Sequence, residues 1–271
     1  MNRGRRDVTA IARGWRWRGF TLASLAVALL LAGCASLAAQ LQRQHQAQIA
    51  FDEGVQRYNT RDYAGALPSF ERALTLFPAF DDAETYLAWS NYYLARYPEA
   101  ALHFRQVISR QPGWAGLHDG LGWTRYREGR YHIALEAFQQ ALDLAPTYRD
   151  AAIGSAFSLF ELGRYREAAP GLEQLIRDGR ATAFRKPAPD LEEVRNRYAW
   201  SLFYLGEYEK ARAEFARGIA VHPEWYGLYN GLGWTQLRIG DRAAARASFQ
   251  RALQLQPNYA DAKEGLDEAG R

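Results

Sequence analysis

The chain has 271 residues, 48% apolar, 24% charged and 14% aromatic, a mixture too apolar for disorder and long enough for one large domain or a repeat array. Its formal charge is +4, yet six arginines against one aspartate fall within the first nineteen residues. Without residues 1–33, 28 basic side chains face 29 acidic ones, which leaves no clustered basic excess for nucleic acid and argues against such a partner.

The arginine-rich start leads into FTLASLAVALLLAGC, residues 20–34, apolar for about a dozen residues and ending in small ones. A basic segment, a short apolar run and a small-residue stop make up a secretory signal; a membrane-spanning helix needs about 20 apolar residues. Leu31, Ala32, Gly33 and Cys34 resemble the lipobox of bacterial lipoproteins. That resemblance implies loss of residues 1–33 as a signal peptide, a diacylglyceryl group on the Cys34 sulfur and a tether over 34–46. With Ala35 in place of aspartate, it also implies the outer membrane, with the protein anchored through Cys34 and facing the periplasm. A buried acyl methylene contributes about 0.8 kcal/mol, so several fatty chains hold a protein on a membrane. Cys34 is the only cysteine, which excludes an internal disulfide and a two-thiol metal site.

From about residue 47 a period takes over. Ala66, Ala100, Ala134 and Ala168 stand 34 residues apart; Ala211 follows after 43, and Ala245 after another 34. Four residues after these come Phe70, Phe104, Phe138, Phe215 and Phe249, with Leu172 the exception. Twelve after them come Pro78, Pro112, Pro146, Pro223 and Pro257, and twelve before stands glycine or alanine. Small residues let two helices approach, a large apolar residue fills the space beside them, and proline stops the helix. Gly129, Gly163, Gly206 and Gly240 fall where a first helix should end.

This pattern resembles the tetratricopeptide repeat. The resemblance implies an all-α fold, a right-handed α-solenoid of about six helix-turn-helix repeats with a C-terminal capping helix. Repeats 1–3 then occupy 47–148, repeats 4–6 occupy 149–257, and residues 258–271 form the cap. The fourth repeat lacks the closing proline and carries about nine extra residues near 181–191, either a hinge or partner contact or a tolerated surface insertion. The word GLGWT occurs at 120–124 and 231–235, and AWS at 88–90 and 199–201. Both offsets are 111 residues, and Pro68 and Pro170 follow their marker alanines alike. A duplicated block of three repeats accounts for all of this.

In the tetratricopeptide family the first helix of each pair lines the concave face. One register of that helix reads Val55, Trp89, Trp123, Phe157, Trp200, Trp234, and three residues on Tyr58, Tyr92, Tyr126, Phe160, Phe203, Leu237. Spacing of i to i+3 sets the two columns side by side. Such a stripe serves either as core between helices or as a groove. With about a third of each of the ten rings open, the groove would show roughly 700 Å², more than the usual apolar patch on a monomer. Asp119, Arg127, Asn196, Asn230 and Arg238, with Thr85 and Glu161, flank it, suited to a peptide backbone or to sugar hydroxyls.

No phosphate loop, H-E-x-x-H, G-x-S-x-G or cysteine pair is present. The histidines at 45, 103, 118, 132 and 222 are scattered. No catalytic residue, cofactor or metal is expected. Three functions fit the pattern: a scaffold that binds a partner protein or peptide, a polysaccharide-binding module of envelope export, and a self-assembling unit.

Overall fold

In the computed structural model, which describes residues 36–179 and 191–271, each period becomes a pair of helices. The first and second helices of the pairs are α1 (36–59) with α2 (Tyr63–Leu76), α3 (Asp81–Tyr93) with α4 (Tyr97–Arg110), and α5 (Ala115–Arg127) with α6 (Tyr131–Leu144). They continue as α7 (Arg149–Glu161) with α8 (Tyr165–Asp178), α9 (Leu191–Tyr204) with α10 (Tyr208–Val221), and α11 (Tyr226–Ile239) with α12 (Arg242–Leu255). A last helix, α13 (Ala260–Gly270), closes the array. No strand occurs among the described residues, and the fold is an all-α solenoid of helix-turn-helix repeats. The signal segment 1–33, Cys34 and the insertion up to residue 190 lie outside the described residues.

Helix α1 begins at residue 36, so most of the stretch expected as a tether is helical. Residues 36–53 hold no glycine or proline and are rich in alanine, leucine and glutamine, which favour helix on their own. Among the described residues no helix is long and apolar enough to cross a membrane.

The chain divides into two compact units after Ser90. In the first, Phe51 packs against Phe70, Phe80 and Tyr86 at 4.9–6.0 Å between ring centroids, over buried Ala50, Ala73 and Ala83. Pro68 sits inside α2 and Pro170 inside α8, both on exposed positions, where a carbonyl left without its N–H partner turns to water.

In the second unit the pairs are held by rings set into glycine gaps. A Cβ added at Gly122 or at Gly154 would lie inside 3.0 Å of the Phe138 ring, so that one phenylalanine fills gaps in two successive first helices. Phe249 does the same between Gly233 and Gly265, and Phe215 sits against Gly231. All three rings are fully buried. The word GLGWT thus has a residue-by-residue meaning at 231–235. Gly231 and Gly233 admit two different rings, Trp234 packs on the second at 5.4 Å, and the Thr235 hydroxyl donates to the Gly231 carbonyl at 2.7 Å.

First helices end as expected at Gly129, Gly163, Gly206 and Gly240, all with φ between 71° and 94°. Arg61 and Ala95 hold the same place in the first two repeats at φ 66° and 59°, a conformation that costs an L-residue about 1–2 kcal/mol.

Candidate functional site

Within the second unit α5, α7, α9, α11 and α13 each touch the next, whereas among the described residues the second helices do not. The first helices therefore make one continuous wall, and its side chains are the candidates for meeting a ligand.

The tryptophan register lies inside that wall. Trp123 is 7% exposed, Phe157 1% and Trp234 9%, and Trp200 is half-buried. The expectation that a third of each ring stands open, and the 700 Å² drawn from it, is corrected. Trp123 meets Phe138 edge-on at 5.2 Å, and Trp200 meets Phe215 at 5.4 Å. A glycine removes only its own side chain; the phenylalanine that enters the gap also reaches the neighbouring indole. In the first unit Trp89 is likewise buried.

The second register is more open. Tyr126, Phe160 and Phe203 are half-buried and Tyr92 is buried. Each meets the tyrosine that opens the following helix: Tyr92 on Tyr97, Tyr126 on Tyr131, Phe160 on Tyr165 and Phe203 on Tyr208, at 5.3–5.9 Å. In the first unit Tyr58 meets Tyr63 at 5.2 Å in the same way. Burial pushes the phenols of Tyr92 and Tyr126 well above their ordinary range. Tyr204, 53% exposed, stacks on Tyr165 at 4.4 Å and on Trp200 at 5.9 Å.

The flanking polar residues separate into two groups. Asn230 and Asp119 are buried. Asn230 Nδ2 donates to Asp261 Oδ2 at 2.6 Å, and Trp234 Nε1 donates to the other oxygen at 3.1 Å. That amide, expected to meet a ligand, instead ties α11 to the cap. Arg127 and Arg238 are exposed, and Arg127 Nε donates to the Tyr97 hydroxyl at 3.2 Å. The lone His118 has Nε2 at 2.9 Å from the Pro112 carbonyl, and Tyr229, 111 residues on, donates to the Pro223 carbonyl at 3.1 Å. Both brace a turn.

Arg197, which the columns do not contain, organises the middle of the wall. Its guanidinium lies 3.8 Å over the Phe157 ring, within the range where a cation is drawn to a ring face. It donates to Glu193 Oε1 at 2.7 Å and to the Tyr126 hydroxyl at 3.1 Å, and that hydroxyl donates to Glu161 at 3.0 Å. Burial opposes its charge, but Tyr126, Glu193 and Glu161 more than offset that and raise its pKa. Its signal was a broken column: Gly120, Gly154, Gly231 and Gly265 share one register, and Arg197 stands in it.

Beside Arg197 opens a cleft of about 350 Å³, lined by Glu192, Glu193, Asn196, Arg197, His222, Glu224 and Trp225. Trp225 caps the start of α11 without a side-chain hydrogen bond, as Trp114, Tyr148 and Tyr259 do for α5, α7 and α13. This third aromatic register, two residues after each closing proline, was also missed; the proline spacing would have found it. Among the described residues no group of His, Cys, Asp and Glu could hold a metal ion.

Known structures share the architecture at low identity. The pilF protein of Pseudomonas aeruginosa is 17% identical, with 84% of this chain and 99% of that one covered at a TM-score of 0.67. PilW, described as a widely conserved type IV pilus biogenesis factor, is 21% identical over 83% of this chain and 98% of its own, at 0.64. YrrB, described as a tetratricopeptide protein with an unusual peptide-binding site, is 17% identical over 73% and 97%, at 0.61. No curated protein matches the sequence. Models of the tetratricopeptide repeat match residues 51–114, 125–186 and 198–266. Since those matches cover most of the sequence and fall on the helix pairs just described, the chain belongs to the tetratricopeptide repeat family.

Proposed function

We propose that the chain is a non-catalytic scaffold that holds a partner protein or peptide on its wall of first helices, at the Trp225 cleft. Acyl chains on Cys34 tether it to the outer membrane, with the repeats in the periplasm. The cleft carries the binding reading: at about 350 Å³ it falls in the size range of ligand pockets, while the tryptophan register is filled by the protein's own rings. Members of this fold family bind protein or peptide partners, and function belongs to the site rather than the fold. The tether is supported by the order of basic, apolar and LAGC segments over residues 1–34. A polysaccharide ligand needs open ring faces for stacking, and Trp123 and Trp234 offer little.

A photo-crosslinking residue placed in cells at exposed Glu224 of the cleft, or at exposed Arg127, Tyr204 or Arg238 near the ends of the first helices, is expected to capture one polypeptide. At Gln140 or Arg212, exposed on second helices, it should capture none. Equal capture from both sets removes the scaffold reading, and crosslinks to a second copy of the chain replace it with self-assembly. For the tether, Cys34→Ser should abolish incorporation of labelled palmitate; labelling that persists removes it.

A further inference from the structure

The cleft differs from the rest of the wall in charge. Among the described residues Glu192, Glu193 and Glu224 line the cleft with one guanidinium, Arg197, and that cation is already engaged by Glu193, Glu161 and the Phe157 ring. The neighbouring Arg195 is likewise held, by Glu192 at 3.3 Å and Glu214 at 2.8 Å. Glu224 is open, its side chain 72% exposed, with His222 Nδ1 at 3.4 Å as its ion-pair partner among the described residues. The Oδ1 atom of Asn196 is completely buried and accepts no hydrogen bond. With no exposed surface that atom is out of a ligand's reach, and Glu224 is the acceptor open to one. Trp225 adds a flat apolar surface at the same opening. A ligand that answers all of these carries a positive head able to donate hydrogen bonds, on a stem that packs against an indole.

We propose that the cleft receives an arginine or lysine side chain of the bound partner. Glu224 faces its charge and Trp225 lies against its methylene stem. This rests on the scaffold reading and names the chemistry of its partner: a basic peptide segment. The duplication provides an internal control. Trp114, the counterpart of Trp225, has Gly113 and Gln111 where Trp225 has Glu224 and His222, while Asp81 and Asp82 stand in the places of Glu192 and Glu193, so of these carboxylates its sequence lacks that of Glu224 alone.

The test uses the full-length protein and two labelled nonapeptides, Gly-Ser-Gly-Arg-Leu-Arg-Gly-Ser-Gly and the same peptide with citrulline for both arginines. Binding is read by fluorescence anisotropy at low salt, where exposed charge pairs act most strongly. The indole N–H signal of Trp225, assigned through Trp225→Phe, is followed by NMR. The arginine peptide is expected to bind about two- to fivefold tighter than the citrulline one and to move the Trp225 signal more than that of Trp114. Glu224→Gln, a change at an exposed position, should remove most of that preference while circular dichroism stays unchanged. Equal binding of the two peptides, or equal movement of both indoles, overturns the assignment. If neither peptide moves Trp225 while crosslinks from Arg127, Tyr204 and Arg238 persist, the basic side chain is wrong and the scaffold stands. If the crosslinks vanish while the arginine peptide still binds, the reverse holds.

Discussion

The seams between successive pairs in the second unit are of two kinds. From α6 to α7, α10 to α11 and α12 to α13, a phenylalanine of the second helix fills a glycine gap in the next first helix: Phe138 at Gly154, Phe215 at Gly231, Phe249 at Gly265. From α8 to α9 the same registers hold Leu172 and Arg197. The first kind works by volume alone, a ring where a side chain is missing. In the second, a smaller buried residue is matched by a long cationic one whose head reaches over Phe157 on α7 and Tyr126 on α5. A seam that relaxes the volume rule admits a polar cluster into the wall, and its Arg197 lines one side of the cleft, whose other side is the turn into α11.

The regular seam breaks most readily at Gly154→Ala. Alanine gains about 1 kcal/mol of helix propensity, but its Cβ would overlap Phe138, which is hemmed in on its other side by Gly122. Overpacking costs about 1–3 kcal/mol or more, and the rigid ring has nowhere to retreat. The expected net loss is up to about 2 kcal/mol in urea unfolding. An alanine variant as stable as the parent would sink the volume account.

The exceptional seam is sharpened by converting it to the regular kind. Leu172→Phe alone overfills a buried site and should cost about 1–3 kcal/mol. Arg197→Gly alone loses the ring contact, about 0.5–2 kcal/mol, and about 1 kcal/mol of propensity. Its ion pairs add to that loss, because Arg197 is only 17% exposed while Glu161 and Glu193 are 29% and 41% exposed. Together the two changes restore the Phe–Gly fit, so the double variant should recover at least about 1 kcal/mol of the summed loss. Strict additivity would mean that the two positions do not answer each other.

The same comparison explains how far the sequence alone reaches. Helix pairs, their ends and their order follow from spacing, because glycine, phenylalanine and proline each do one job per repeat. The site did not follow, for two reasons. Burial of Trp123 and Trp234 depends on where the phenylalanine ring of the partner helix ends, which spacing along one helix does not specify. Arg197, Trp225 and Glu224 lie on different helices and loops, and their convergence arises only once the repeats stack. What spacing did hold was the irregularity: Leu172 and Arg197 each break a column, and a break in a repeat marks a place where packing has yielded to something else.

The smallest effect expected lies at a turn that changes neither seam. Ala95 adopts φ 59° where four later repeats have glycine. Its amide donates to the Tyr92 carbonyl at 3.0 Å and Arg96 N–H to the Asn91 carbonyl at 2.9 Å. Gly129 and Arg130 make the same two bonds at 3.0 and 2.9 Å, so glycine at 95 loses no hydrogen bond. Relief of the left-handed conformation is worth about 1–2 kcal/mol. Against it stands the greater freedom of glycine in the unfolded chain, about 0.4–1 kcal/mol. Ala95→Gly should therefore stabilise the protein by less than about 1 kcal/mol, seen as a higher urea midpoint at unchanged slope. A lower midpoint would mean that unfolded-chain entropy outweighs backbone strain, and that the glycines at 129, 163, 206 and 240 are kept for a reason other than their positive φ.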